Sequence, residues 1–325
     1  MSSEVIDSNN FWRLTDYDEA YWENYLAARP KYNNNDFYNI LYSYHDSHSG
    51  CYDVAHDIGT GPGQVAGVIA SRFKRVIASD ANDAHLVAAK KHHGAIPNIE
   101  FMLCAGEEVA AGVPRASCDA VFCAEAIPLM DKETALDGFA KVLKPNGTLA
   151  VWFYGRPIFM DGDKEACQEI YNRIFNAKAQ KMLDASSPEF RAGWKHGTDT
   201  IASQLDDVAF PASVWKNVER RKWNTVGAKM EFNDALPNLP INLSSAVDPS
   251  REKVTELRDG KLWAEKWTVG EVGKFIEAML PVNHAELDQD PELRALFEEL
   301  AKAMGGKDAE RVIGWPIVLL LATRG

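Results

Sequence analysis

The chain lacks the features that would set it apart from ordinary globular proteins. Its 325 residues contain no apolar stretch of the roughly 20 residues that a membrane helix needs, and the nearest run, 317–323, has strand length. The first residues, MSSEVIDSNNFWRL, have no basic start followed by an apolar run, so no secretory leader is expected and the expected location is cytoplasmic. Cysteine is scarce and odd in number: Cys51, Cys104, Cys118, Cys123 and Cys167, with no C-x-x-C pair. That argues for reduced core thiols rather than a disulfide framework or a metal site. Positive charge is also short, 35 Lys and Arg against 47 Asp and Glu, for a net charge of −12. Such a surface repels phosphate backbones and anionic lipid, so neither nucleic acid nor membrane is an expected partner. Internal repeats and low-complexity tracts are absent.

What is present is a composition of 46% hydrophobic and 25% charged residues, enough for a full core. Nine tryptophans are the one unusual count, and they suit pockets for flat or apolar ligands. Residues 11–50 read as helices joined by loops. From 51 to 155 strand and helix signals alternate: strands at Tyr52–Ile58, Arg75–Asp80, Ile99–Cys104, Cys118–Ala126 and Thr148–Tyr154, with helical spacing between them. This predicts an α/β fold, a parallel sheet with helices on both faces. The second half is less regular, with a helix at Lys164–Leu183 and strands at Val218–Asn224 and Ile317–Thr323. Asp290-Pro291 marks a helix start and Gly305 its stop. The basic run Lys216–Lys222 reads as a solvated strand face.

The central motif is Asp57-Ile58-Gly59-Thr60-Gly61-Pro62-Gly63, directly after a buried strand. Alternate glycines permit a tight turn and a close approach of ligand to backbone. The turn feeds a helix N-terminus. Asp80, followed by Ala81, ends the next strand, where an acid can accept hydrogen bonds from ribose hydroxyls. The dinucleotide fingerprint fails at its third glycine, where Gln64 stands, and no G-K-[ST] of a phosphate loop follows. Asp57, two residues before the first glycine, would repel a pyrophosphate and suits a cation. An adenosine-containing cation without phosphate, S-adenosyl-L-methionine, fits these residues.

With these residues the chain resembles the class I SAM-dependent methyltransferases. Asp57–Gly63 looks like their D-x-G-x-G-x-G motif, and Asp80 like their ribose-binding acid. Cys104-Ala105-Gly106-Glu107 falls where that family contacts adenine. Asp119–Glu125, with Ala124, looks like its strand-four motif, and Leu143–Thr148 like its L-K-P-G-G turn. Tyr25-x3-Arg29-Pro30-x-Tyr32 and Ala150–Phe159 resemble segments of the yeast-type trans-aconitate methyltransferases. The resemblance implies a doubly wound, Rossmann-like, seven-stranded, mostly parallel sheet whose last strand, Ile317–Thr323, runs antiparallel beside strand five. It implies three parts: a helical lid over 1–50, a cofactor core over 51–160, and substrate-recognition helices with the last strands over 161–325. It also implies a small-molecule substrate, methyl transfer, S-adenosyl-L-homocysteine as the cofactor product, and a monomer or homodimer.

One departure matters. Those relatives carry His-Trp-Phe after strand four, and here Pro128-Leu129-Met130 stands instead. That disfavours a small tricarboxylate and favours an apolar or aromatic acceptor, methylated on a carboxylate or hydroxyl oxygen. Trp12, Tyr21 and Trp22, with Tyr17 and Tyr25, are candidate lid residues facing cofactor and substrate, and Tyr154 is a further substrate candidate. Tyr25 and Arg29 are cofactor candidates, Arg29 through the cofactor carboxylate. Glu125 is the one catalytic candidate, since no histidine after strand four stands ready as a base. His56, inside strand one, reads as a core residue. Three alternatives remain at this point: an enzyme of the same fold that uses the cofactor without methylating and catalyses a rearrangement or cyclisation, methylation on nitrogen or sulfur, and a regulatory module.

Overall fold

The computed structural model describes residues 19–31, 34–231, 233–234, 236, 239–280 and 289–325, with the backbone alone at 19 and 20. Two helices open the described chain, α1 (Glu19–Ala28) and α2 (Asn35–His48). The alternating core follows: β1 (Val54–Ile58), α3 (Gln64–Ile69), β2 (Arg75–Asp80), α4 (Asp83–His93), β3 (Ile99–Leu103), α5 (Val109–Gly112), β4 (Cys118–Ala124), α6 (Lys132–Val142) and β5 (Leu143–Tyr154). The remainder is β6 (Ile158–Phe159), α7 (Lys164–Ala185), α8 (Pro188–Ala202), β7 (Trp215–Trp223), β8 (Lys253–Leu257), β9 (Glu265–Trp267), α9 (Val269–Met279), α10 (Pro291–Ala303), β10 (Arg311–Gly314) and β11 (Ile317–Arg324).

Helix starts obey the local chemistry. Asn82, Asp131 and Ser187 cap α4, α6 and α8 by accepting a hydrogen bond from the backbone of the first turn. Asp290 caps α10 by accepting from the N–H groups of Glu292 and Leu293, and Gly305 beyond its end takes φ +93°. The main sheet runs β3-β2-β1-β4-β5-β11-β7-β8. Pairs from β3 to β5 are parallel, and β11 is antiparallel to both β5 and β7. The arrangement agrees with the expected sheet and adds an eighth strand, β8, plus a small sheet of order β6-β10-β9.

Alternate residues of each strand feed two cores, one on each face. Phe122, Trp152 and Leu319 enter the core under α2 and α7, while Val121, Val151 and Leu320 enter the other with α6. α2 is fixed on the sheet by Phe37 against Trp152, with ring centroids 5.5 Å apart, and by Tyr44, whose hydroxyl lies 2.8 Å from that of Thr323. α1 docks on α9: the Tyr21 hydroxyl and the Asn24 amide donate to the carbonyls of Ala278 and Lys274. Cys118, Cys123 and Cys167 are buried thiols, whereas Cys51 is exposed.

Two expectations change. The run 216–222 is only partly solvated: Lys216 and Asn217 are exposed and Glu219 and Arg221 half-buried. Val218, Arg220 and Lys222 of β7 are buried, because β8 takes its free edge and the segment after α8 covers that face. Arg220 donates to Glu252 at 2.5 Å and to the carbonyls of Leu205 and Val208, and Lys222 pairs with Asp206 at 2.8 Å. The tryptophans are mainly core: Trp152, Trp194, Trp215, Trp223, Trp263, Trp267 and Trp315 are all buried.

Candidate functional site

The strand ends place the site. Parallel strands β1, β2, β3 and β4 finish at one edge of the sheet, and the turns after them bound a cleft that is partly open to solvent. Gly59, Gly61 and Pro62 come from the first turn, Asp80 and Ala81 from the second, Cys104–Glu107 from the third, and Ala124–Ala126 from the fourth. Leu129 and Met130 form the wall beyond β4, and Trp22, Tyr25 and Arg29 of the α1 segment close over it, with His85 at their foot. Trp12 and Tyr17, like Tyr32, lie outside the described residues.

The glycine turn is built around Asp57, and here the sequence reading needs correction. Asp57 does not line the cleft. Its carboxylate is buried beneath the turn, accepting from the Thr60 hydroxyl at 2.6 Å and the Ala66 N–H at 3.0 Å. It braces the turn against α3, and burial pushes its acid up to about 7. Thr60 and Gly63 also stand outside the cleft, Thr60 as the partner of Asp57 and Gly63 as the left-handed residue that starts α3. Gly59, at φ +69°, is the demanding position: a Cβ there would sit 2.5 Å from that of Ala126.

Asp80 lines the cleft and has more partners within the protein than the sequence showed. Its Oδ2 accepts from the Gly61 N–H at 2.9 Å, and its Oδ1 accepts from the Asn82 N–H at 3.0 Å. His85 Nδ1 lies 3.0 Å from the same Oδ1. The Trp22 ring packs on His85, with centroids 4.7 Å apart. His85 is the site residue that sequence reasoning missed. Its signal was its place in the first turn of the helix after β2, which faces back over the strand end.

Glu125 terminates β4 in a left-handed conformation, φ +59°, that few non-glycine residues adopt. Its N–H donates to the Trp152 carbonyl at 2.9 Å, and its Oε1 accepts the Tyr154 N–H at 2.8 Å. Burial pushes its acid up to about 8, although the Arg29 guanidinium opposes the shift. Arg29 donates to the Tyr154 hydroxyl at 2.7 Å and stacks over the Tyr25 ring at 4.6 Å.

Three substrate candidates are therefore displaced. Tyr154 is fully buried and holds Arg29 from behind. Tyr21 points to Ala278 of α9. Pro128 is buried in the turn after β4. Trp22, Leu129 and Met130 do line the cleft. The charge argument survives on different residues. Asp80 and Glu107 face the cleft against Arg29, so the lining opposes a pyrophosphate and suits a cation.

A Rossmann-like sheet with a glycine turn, an acid after β2 and an acidic cleft at the strand ends is the architecture of a nucleoside-cofactor enzyme. A family model described as a methyltransferase domain matches residues 56–151. The chain is 42% identical to methyltransferase pgmE of Aspergillus terreus over 98% of this chain and 97% of that protein. It is 44% identical to methyltransferase cfoB of Aspergillus candidus over 95% and 96%. Among solved structures, a type II methyltransferase from Anaeromyxobacter dehalogenans shares the fold, with a TM-score of 0.55 and 17% identity over 90% of this chain and 97% of that one. The chain belongs to the class I SAM-dependent methyltransferases, and S-adenosyl-L-methionine is its cofactor.

Proposed function

We propose that the enzyme methylates an oxygen of an apolar or aromatic secondary metabolite. The observation that carries this reading is the placement of Glu125: its carboxyl is held at the cleft by the Tyr154 N–H, beside the apolar wall of Ala126, Leu129 and Met130, and burial pushes its acid up to about 8. A base with that constant is matched to a phenolic hydroxyl far better than an ordinary carboxylate would be. The cofactor supplies a methyl group on a sulfonium sulfur. Asp80 and the backbone at Gly59 and Gly61 hold its nucleoside, with Ala81, Ala105, Gly106, Glu107 and Ala124 around the base. Arg29 takes its carboxylate, and Trp22 and Tyr25 cover it. Leu129 and Met130 set the acceptor plane and exclude water. With the cofactor bound, the Glu125 carboxylate would take the proton of an acceptor hydroxyl as that oxygen receives the methyl group. Alignment of donor and acceptor contributes the larger share of the acceleration.

The three-part division of the chain belongs to the same reading: residues 1–50 as lid, 51–160 as cofactor core and 161–325 as acceptor side. Deletion of the gene in its source organism, with comparison of metabolite extracts, tests the proposal. The expected result is loss of a methoxy or methyl-ester compound and accumulation of its free hydroxyl or acid. Accumulation of an unmethylated amine or thiol would refute the oxygen assignment, and no methyl-related pair at all would refute the acceptor class.

A further inference from the structure

The Asp80 carboxylate is already heavily engaged before any ligand arrives. A carboxylate offers about four accepting positions. Three are filled, by the N–H groups of Gly61 and Asn82 and by His85. The position that remains belongs to Oδ2, and Asp80 lines the cleft. A favourable contact between His85 Nδ1 and Oδ1 requires the proton to be on Nδ1, so the imidazole is the donor. Asp80 and His85 are both nearly inaccessible to solvent, 7% and 5% exposed, so the pair is pre-arranged rather than a solvated contact. The lid reaches the pair through Trp22, whose ring packs edge-on against the imidazole.

The geometry points to His85 as a positioning residue for the cofactor ribose. It fixes the rotation of the Asp80 carboxylate so that its remaining Oδ2 position faces the ribose hydroxyls, and Trp22 fixes the imidazole in turn. This rests on Asp80 being the ribose acceptor, as proposed above. A carboxylate whose rotation is already fixed, here by His85 together with the Gly61 and Asn82 N–H groups, loses less freedom when its remaining position binds. The specific consequence is a His85-dependent preference for a ribose that carries hydroxyls. A histidine that merely filled space under the lid would give no such preference.

The test uses isothermal titration of the full chain with S-adenosylhomocysteine and with its 2′,3′-dideoxyribose counterpart. Wild type, His85→Ala and His85→Asn are compared, because the asparagine amide nitrogen falls near the position of Nδ1. The expected loss for S-adenosylhomocysteine in His85→Ala is about tenfold, of the order of one charge-assisted hydrogen bond. Affinity for the dideoxy compound is expected to stay unchanged, which also shows that the variant is folded. His85→Asn is expected to recover most of the hydroxyl preference. Equal weakening of both ligands in His85→Ala, or no weakening of either, would overturn the inference while leaving the cofactor site standing. If wild type binds neither compound, the cofactor assignment itself falls, and the inference with it.

Discussion

Asp57 offers the sharpest test of how the glycine turn is built. Its acid stands at about 7 in the folded protein against an ordinary 3.8, with burial as the main cause. The folded state therefore holds the proton more tightly than the unfolded chain. The contribution of Asp57 to stability is fully present below 3.8 and is lost as pH rises towards 7. At about 1.4 kcal/mol per pH unit, the loss across that window is about 4 kcal/mol. Asp57→Asn removes the titration while its amide oxygen still accepts from Thr60 and Ala66. Any penalty for the amide N–H groups does not vary with pH, so it cancels when one variant is followed along the pH scale. His56, whose base is pushed down to about 3 by burial, works in the opposite direction: its contribution falls as pH drops below 6.5. It is common to both proteins and cancels in their difference. Urea unfolding followed by tryptophan fluorescence, from about pH 4 to about pH 8, gives that difference. Asp57→Asn is expected to gain on wild type by up to about 4 kcal/mol over the range. A difference that stays flat would show that Asp57 is not held as a buried acid.

Other outcomes follow from the same geometry. With Glu125 as the proton acceptor, kcat/KM rises with pH through about 8. Glu125→Gln abolishes that limb and lowers the rate by about 10²-fold or more, and a retained limb would reassign the base. Gly59→Ala meets both a left-handed backbone and the Cβ of Ala126 at 2.5 Å, so S-adenosylhomocysteine binding by titration is expected to fall below detection with circular dichroism unchanged. Asp290→Ala removes the cap of α10 and lowers unfolding free energy by about 1 kcal/mol, leaving cofactor affinity untouched.

The parts of the fold that were legible in the sequence are those whose signals are local. Short apolar strands of five to seven residues ending in turn chemistry gave β1 to β4 to within two residues at each end. The Asp290-Pro291 start and Gly305 stop gave α10 for the same reason. The start of β5 was less legible, because Lys144–Gly147 reads as a turn but is carried inside the strand as an irregularity of its pairing with β4, with Asn146 left-handed at φ +65°. The strand β8 was missed because its residues are mostly exposed and it exists only by pairing with β7. In the site, Gly59, Gly61, Asp80 and the turn after β3 were readable from spacing. His85 was not, because its contact with Asp80 depends on how α4 turns back over the strand end.

The sequence alone determined the chemistry of the cofactor turn. Glycines at alternate positions and an acid after the second strand are backbone and charge requirements, and such requirements are written in residue type. It also determined the alternating α/β order, because hydrophobic period is local. The tertiary structure decided which way side chains face. It turned Asp57 away from the cleft and into the support of the turn, moved Tyr154 behind Arg29, and put Glu125 at the cleft in a left-handed bend. It drew the tryptophans into the cores, leaving Trp22 among the cleft lining. Burial sets the acid constants of Asp57 and Glu125, and burial is a sum over neighbours brought together from distant parts of the chain, which no local pattern records.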